Sequence, residues 1–509
     1  MAVVDPLPGK SAVVASPMLP ESDHSREDSA AAPASPPLVV PVEGVMLQCD
    51  LLAEALASMA RRQPLDLLLA PWLALRGGRM AIFARPAVVE GISELGPLLR
   101  EPVLEYLRKE VLAGRRLVFL APEPIAARRL LDPHFPGCEI LGPEDGLPSG
   151  GRALAEALVA RFGERGFDFL GGPRATHPAL AVARKAMAAI RDDRSGHLKG
   201  ARRHAADVQV VATLEGTTWK DWVRELRFHQ WAKNLLILVP FLSGHHYAGA
   251  YQMGGLVAAI IAMGLCASAT YLWNDILDVE FDRRHARKQH RLLASGRTSL
   301  GRAFGTSVFL LGPGLLGGFL LDIRFGAILV FYVALTVAYS VHLKRIALVD
   351  LFVLTSLYLT RIVAGIVVGG ALVSFWLFAF SFLFFLSLAA AKRRIEIRLH
   401  PPASGEKVRG RGYAADDGAW LTALGISTGV GATLMLALYS ESEHVHSLYH
   451  QPAWLWGACV LCLFWINRVW LLTERGQLDD DPVLFALRDR ATLVVAACGA
   501  LVFHLAQPI

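Results

Sequence analysis

Asn274-Asp275-Ile276-Leu277-Asp278-Val279-Glu280-Phe281-Asp282 follows directly on an apolar stretch covering residues 254–273. Asp275, Asp278 and Asp282 stand at i, i+3 and i+7, so a helix puts all three on one face. Carboxylates at the end of a membrane span are costly to hold there without counter-charge. A divalent metal carrying a diphosphate supplies it, because Mg2+ takes hard oxygen ligands and is commonly bound by one or two carboxylates plus substrate phosphates. The plain alternative is a solvated acidic helix beside the membrane. The patterned residues that follow, Arg283, His285, Lys288 and Arg291-Leu292-Leu293-Ala294-Ser295-Gly296, speak against it.

Outward from this stretch, the 509-residue chain divides into unlike halves. Up to about residue 203 it mixes Pro, Ala, Arg and Glu, whereas from about residue 231 apolar runs alternate with short charged loops. A spanning helix needs roughly 20 apolar residues. On that measure the candidates are 235–242 (short, extended at both ends), 256–273, 304–321, 327–341, 348–369, 375–391, 421–438, 453–471 and 491–505, which makes about nine spans. Basic residues fall in alternate loops: Arg283, Arg284, Arg287, Lys288, Arg291, Arg297 and Arg302; then Lys344 and Arg345; then Lys392, Arg393, Arg394, Arg398, Lys407, Arg409 and Arg411. That bias assigns these loops and the N-terminal half to the cytoplasmic side of a cell inner membrane. The net charge of +6 reflects the same bias, and no nucleic-acid-binding motif accompanies it. No basic segment leads into an apolar core at the start, so no cleaved signal peptide is expected. Residues 1–36 read as a disordered tail rich in Pro, Ala and Ser. Cys459 and Cys462 form a C-x-x-C inside an apolar span and read as small packing residues.

In the N-terminal half, the apolar runs Leu38-Val39-Val40, Leu117-Val118-Phe119-Leu120 and Phe167-Asp168-Phe169-Leu170 have helical pattern between and after them. Strands alternating with helices predict a soluble α/β, Rossmann-like domain with a largely parallel sheet. Order and spacing resemble a haloacid dehalogenase-type domain over residues 37–195. That resemblance implies a phosphatase centre, but Pro41 stands at its nucleophile position, Glu43 at its second acid and Ala121 at its Ser/Thr. Its acidic metal motif falls on Gly171-Gly172-Pro173-Arg174-Ala175-Thr176, with no acid left. The domain is therefore expected to be an inactive pseudophosphatase with a structural or regulatory role. Residues 196–226 are expected to be a linker with an amphipathic segment.

The acidic stretch and its basic sequel resemble the UbiA superfamily of intramembrane prenyltransferases, over residues 227–509. Arg227-Phe228-His229-Gln230-Trp231-Ala232-Lys233-Asn234 is similar to the entry motif of a subgroup that transfers phosphoribosyl to polyprenyl phosphates. Tyr339-Ser340 with Leu343-Lys344-Arg345 and Asp350 matches the middle polar loop of the superfamily. The third loop departs from it: Lys392-Arg393-Arg394-Ile395-Glu396 and Arg411-Gly412-Tyr413 replace a second acidic pair, with Asp416 and Asp417 as partial substitutes. The resemblance implies an all-α transmembrane bundle and a Mg2+-dependent transferase with diphosphate as leaving group. Asp275, Asp278 and Asp282 are its expected metal ligands, with Asp275, Asp278 and Lys344 catalytic. Asn274, Lys233, Asn234, Arg283, Lys288, Arg291, Tyr339, Asp350, Arg361, Lys392, Arg393, Arg411 and Tyr413 are its expected substrate-binding residues. The partners implied are the lipid bilayer, a polyprenyl lipid and a diphosphate-containing donor, with no nucleic acid. Phosphoribosyl transfer to a polyprenyl phosphate is favoured. Prenyl transfer to an aromatic or other small acceptor is the rival, and a non-catalytic scaffold or transporter is the reading from a different class.

Overall fold

The computed structural model describes residues 35–83, 85–93, 95–148, 150–172, 177–191, 207–214, 216–243, 250–285, 288–371, 373–399, 401, 407–408, 410–478, 481–486 and 488–506. Nearly all of the expected tail, the segment Pro173–Thr176 of the expected metal motif, Arg287 and Arg409 fall outside these residues.

Leu38-Val39-Val40 is apolar with no alternation, the pattern of a strand covered on both faces, and β1 (Leu38–Pro41) is buried on both. It pairs in parallel with β2 (Leu117–Leu120) on one side and β4 (Asp168–Gly171) on the other. With β3 (Glu139–Leu141), β5 (Ala186–Arg191) and β6 (Val208–Leu214), the order is β3-β2-β1-β4-β5-β6, parallel throughout. This is the doubly wound order. Two apolar layers cover the sheet, one around Val40 and Phe119, the other around Val39, Val118 and Phe169. β6 lies within the stretch expected to be linker, so the sheet runs on past residue 195.

At the end of β1 the chain turns through Gly44 at φ +77°. The Glu43 carboxylate accepts the Leu51 N–H at 3.3 Å, at the start of α1 (Leu51–Arg62). Asp50 caps the same helix through the Leu52 and Ala53 amides. The acid near the expected phosphatase centre thus serves a helix start. The other end of α1 carries Arg61 and Arg62, which suits the negative pole of the helix.

Seven helices are long and apolar enough to cross a membrane among the described residues. They are α3 (Ala250–Leu277), α4 (Leu300–Leu321), α5 (Ile323–Val341), α6 (Val349–Gly369), α7 (Phe375–Leu399), α8 (Asp417–Ser440) and α9 (Leu455–Glu474), preceded by the short α2 (Trp219–Glu225). Among the described residues the expected count of about nine is not confirmed. The last candidate forms α10 (Arg490–Leu505), of 16 residues. The first forms a 3₁₀ segment, Phe228–Leu238, running into the five-residue helix Val239–Ser243. That segment packs on α3. Trp231 fills the space over Gly264, where an added Cβ would meet its ring at 2.5 Å, and its indole N–H donates to Ser268 at 2.9 Å.

The soluble domain docks on the bundle beside the acidic stretch. Ala57 of α1 packs among Leu272, Ile276, Val279, Leu292 and Leu293. Arg283 donates to Glu54 at 2.6 and 3.1 Å, and Arg61 to Glu280 at 2.5 Å and to the Ile276 carbonyl at 3.2 Å. Gly296 adopts φ +70°, and a Cβ there would lie 3.1 Å from that of Gln48. The glycine of Ala294-Ser295-Gly296 therefore meets both a turn and the domain contact.

Candidate active site

α3 ends at Leu277, and Asp278 opens a second short helix, Val279–Arg284. The backbone bonds Asp278 N–H to Asn274 O and Asp282 N–H to Asp278 O keep the helical path across this junction. Asp275 is 2% exposed and Asp282 4%. Arg227 donates to both oxygens of Asp275, at 2.5 and 2.8 Å. One nitrogen of Arg291 donates to Asp282 at 2.7 Å and to Asp275 at 3.3 Å, so it bridges the two acids. Lys288 lies 3.9 Å from Asp282. Asp278 is held separately by Lys344, at 2.6 and 2.9 Å. The expected trio is thus a bridged pair plus one acid on its own cation. Among the described residues no three His, Cys, Asp or Glu side chains converge on a single metal position. The bridged pair does fit Mg2+, whose usual protein share is one or two carboxylates, the remainder being water and phosphate.

Charge and burial work against each other here. Burial pushes the Asp282 carboxyl above its usual range, Asp275 adds to the rise, and Arg291 opposes it. Burial likewise depresses the Lys344 ammonium, against the pull of Asp278. Asn274 stays half-buried, and its amide makes no side-chain hydrogen bond among the described residues. Arg227 sits at φ +53°, an uncommon conformation for a residue with a side chain. Its guanidinium lies 5.1 Å from the Tyr271 ring as well as on Asp275.

A second group lies where α5, α6 and α7 meet. Tyr339 donates to Asp350 at 2.8 Å. Arg393 binds both oxygens of Asp350, donates to Tyr339 at 2.5 Å and lies 2.5 Å from Glu396. Arg411 adds 3.1 Å to Glu396 and 3.4 Å to Tyr339. Tyr413 accepts the Leu348 N–H at 3.1 Å, at the start of α6. Asp417 accepts the Ala414 amide at 2.8 Å, and Asp416 stands exposed at the start of α8. Neither replaces a second acidic pair.

The third group is deeper. Lys233 and Asp481 form an ion pair, and Lys392 lies 3.9 Å from the same carboxylate. Arg361 donates to Asn234 at 3.0 Å, to the Leu357 carbonyl and to Tyr332 at 3.2 Å. Of the residues expected to bind substrate, Arg283 is directed to Glu54 of α1 and braces the domain contact. Residues outside that expectation are Arg227, Tyr271, Glu396, Asp481 and Glu225. The Arg227 guanidinium was legible as the first position of the entry motif, and Asp481 as the end of the acidic run Asp479-Asp480-Asp481.

Glu225, at the end of α2, is buried; one carboxylate oxygen accepts the Leu292 N–H at 3.3 Å and the other has no hydrogen-bond partner among the described residues. Burial, then repulsion from Asp275, push its carboxyl up to about 7, with Arg227 holding it back. The fold thus favours the protonated acid. That stability is complete below the ordinary glutamate range and is lost as pH rises through about 7. Glu225→Gln keeps the acceptor for Leu292 and removes the charge. Its gain over the parent is expected to be small at pH 5 and to reach about 2–3 kcal/mol at pH 8. Thermal unfolding at the two pH values checks this, and an offset independent of pH contradicts it.

A model of the UbiA prenyltransferase family matches residues 237–490. The uncharacterized protein y4nM of Sinorhizobium fredii is 34% identical over 479 residues, covering 92% of this chain and 91% of its own. A match of that length takes in the N-terminal domain as well as the bundle. A decaprenyl-phosphate phosphoribosyltransferase of Mycobacterium tuberculosis is 29% identical over 281 residues, 54% of this chain and 90% of that one. A solved UbiA homologue from Archaeoglobus fulgidus bound to DMAPP and Mg2+ is 15% identical, covers 55% of this chain and 96% of that one, and has a TM-score of 0.44.

Proposed function

The chain belongs to the UbiA prenyltransferase family, and on that premise we propose that it transfers phosphoribosyl from phosphoribosyl diphosphate to a polyprenyl phosphate, in the cytoplasmic membrane with its polar loops on the cytoplasmic side. The observation that carries this reading is the contrast between the two walls. One holds the carboxylate pair Asp275 and Asp282 bridged by Arg291. The other gathers Lys233, Lys392 and Arg361 near the one carboxylate of Asp481, while Asp350 and Glu396 are committed to Arg393. A single metal–diphosphate seat facing a basic wall suits a diphosphate donor and an anionic acceptor. The mycobacterial relative, named for phosphoribosyl transfer to decaprenyl phosphate, agrees with that pairing.

In the reaction, an oxygen of the acceptor phosphate attacks C1 of the ribose, the C1–O bond to diphosphate breaks, and the bonding pair leaves with diphosphate. The attacking oxygen is already anionic, so no general base is required. Mg2+ held by Asp275 and Asp282 would neutralise the charge that develops on diphosphate. Arg291 and Lys288 would take diphosphate oxygens, and Asn274 would orient the donor. Lys344 holds Asp278 and adds positive charge at the same mouth. Burial of these groups limits attack by water on the cationic ribosyl carbon. The N-terminal domain braces the site and does no phosphatase chemistry. Pro41, which cannot attack phosphorus, and the capping role of Glu43 support that role.

Purified full-length protein given farnesyl phosphate with phosphoribosyl diphosphate should form a lipid product heavier by one ribose 5-phosphate, with one diphosphate per product by mass spectrometry. A product only from a prenyl diphosphate and an aromatic acceptor would favour the rival reading. Substrate flux across vesicles without diphosphate release would favour a transporter.

A further inference from the structure

The balance of charge differs between the two deeper groups. Around Tyr339, Asp350 and Glu396 face Arg393 and Arg411, two acids against two cations. Around Tyr358, Lys233, Lys392 and Arg361 gather near Asp481, three cations and one carboxylate. Arg361 is 4% exposed and bonds only to Asn234, the Leu357 carbonyl and Tyr332, with no carboxylate partner among the described residues. Among the described residues the group therefore holds a surplus of two positive charges inside a helical bundle, where uncompensated charge is expensive and marks a ligand path.

Lys233 and Arg361 share one space, and Lys392 joins them through Asp481. Lys233 lies 5.7 Å and Arg361 6.0 Å from the Tyr358 ring, and Arg361 lies 5.0 Å from that of Tyr332. Such contacts offset only part of the cost of burying a cation. Tyr358 is itself fixed by stacking on Phe385, with ring centres 4.7 Å apart. The group is not sealed: the Lys392 side chain is 28% exposed and Tyr358 half-buried. Arg361 reaches back to the Leu357 carbonyl, so its guanidinium lies one turn nearer than its backbone to the end of α6 that carries Asp350.

We infer that Lys233, Lys392 and Arg361 form the seat of the acceptor's phosphate monoester, with its lipid chain in the surrounding bilayer. This deepens the proposed function and rests on its acceptor being a lipid phosphate. A dianion cancels the surplus of two, and the guanidinium fork of Arg361 matches two phosphate oxygens. The balanced group of Arg393 and Arg411 then serves as a frame, and Lys392 of the seat is the neighbour of Arg393 on α7.

The test is binding of farnesyl phosphate, farnesol and inorganic phosphate to full-length protein in nanodiscs by thermophoresis, together with steady-state kinetics. Wild type should bind farnesyl phosphate at least 100-fold more tightly than either farnesol or inorganic phosphate. Lys392→Gln, at a partly exposed position that tolerates the change, should weaken farnesyl phosphate at least 10-fold. It should raise the KM for lipid while leaving that for phosphoribosyl diphosphate unchanged. Arg361→Lys, which keeps the charge and loses the fork, should weaken lipid binding by a smaller factor. Unchanged affinity in both variants, or farnesol binding as tightly as farnesyl phosphate, overturns the seat. Inorganic phosphate binding as tightly as farnesyl phosphate overturns the lipid assignment. If lipid binding responds to these variants but wild type releases no diphosphate from phosphoribosyl diphosphate, the transfer reading fails and the seat stands. Turnover with a lipid KM indifferent to Lys392 has the opposite meaning.

Discussion

Asp278→Asn is expected to lower turnover by about 10²–10³-fold, while the protein inserts and folds as before. Asp278 is the most accessible of the three acids, with a side chain 25% exposed, against 2% for Asp275 and 6% for Asp282. The substitution conserves volume, and the asparagine oxygen still accepts from Lys344. What disappears is the negative charge that keeps the buried Lys344 ammonium protonated against its desolvation, and with it the positive charge that Lys344 lends the departing diphosphate. The same change at Asp275 would neutralise an acid 2% exposed that accepts from both Arg227 and Arg291, and its loss of activity would be mixed with loss of stability. Diphosphate release measured beside the membrane-bound yield and the unfolding midpoint separates the effects. Near-normal turnover in Asp278→Asn would remove that acid from the chemistry.

Glu54→Ala should give the largest loss of stability of any single change at the domain contact. Glu54 and Arg283 are 4% and 6% exposed at their side chains and joined at 2.6 Å. Removal of one partner leaves a charge buried alone, at a cost of about 3–5 kcal/mol. Arg283 lies one residue after Asp282, so loosening it should also reduce turnover beyond what the lost stability explains. Replacement of both Arg61 and Glu280 by methionine should cost much less, because those two charges go together and Arg62, the other cation on Glu280, keeps Glu90. A double-mutant cycle on Glu54 and Arg283, read by thermal unfolding, gives their coupling directly. A coupling indistinguishable from zero would mean that the domain rests on the bundle without bracing it.

What the amino-acid sequence discloses depends on how local the cause is. The apolar runs that became β1, β2 and β4 are short, continuous and turn-bounded, and they read as buried strands directly. β3 spans only three residues, and Ala186-Met187-Ala188-Ala189-Ile190-Arg191 carries three alanines that suit a helix equally well. Val208–Leu214 alternates as a strand should, but its place in the sheet depends on β5 beside it. Residues 235–242 have the hydropathy of a span. Their first four residues instead continue the 3₁₀ segment that packs on α3 through Trp231 and Gly264, a tertiary contact, and only the rest is α-helical. The spacing of Asp275, Asp278 and Asp282 marked the stretch as a candidate site. That Arg291 bridges two of them while Lys344 takes the third depends on where loops distant in sequence return. Arg283 looks like its basic neighbours until α1 is docked on it.

The most direct measurement is diphosphate release by full-length protein from phosphoribosyl diphosphate and farnesyl phosphate, followed as Mg2+ is removed with a chelator and then restored. Release should stop on chelation and return with Mg2+, one diphosphate for each lipid-linked ribose phosphate formed. Release that continues undiminished without a divalent cation would contradict the central claim, that a carboxylate pair at the mouth of the bundle holds the metal on which diphosphate departs.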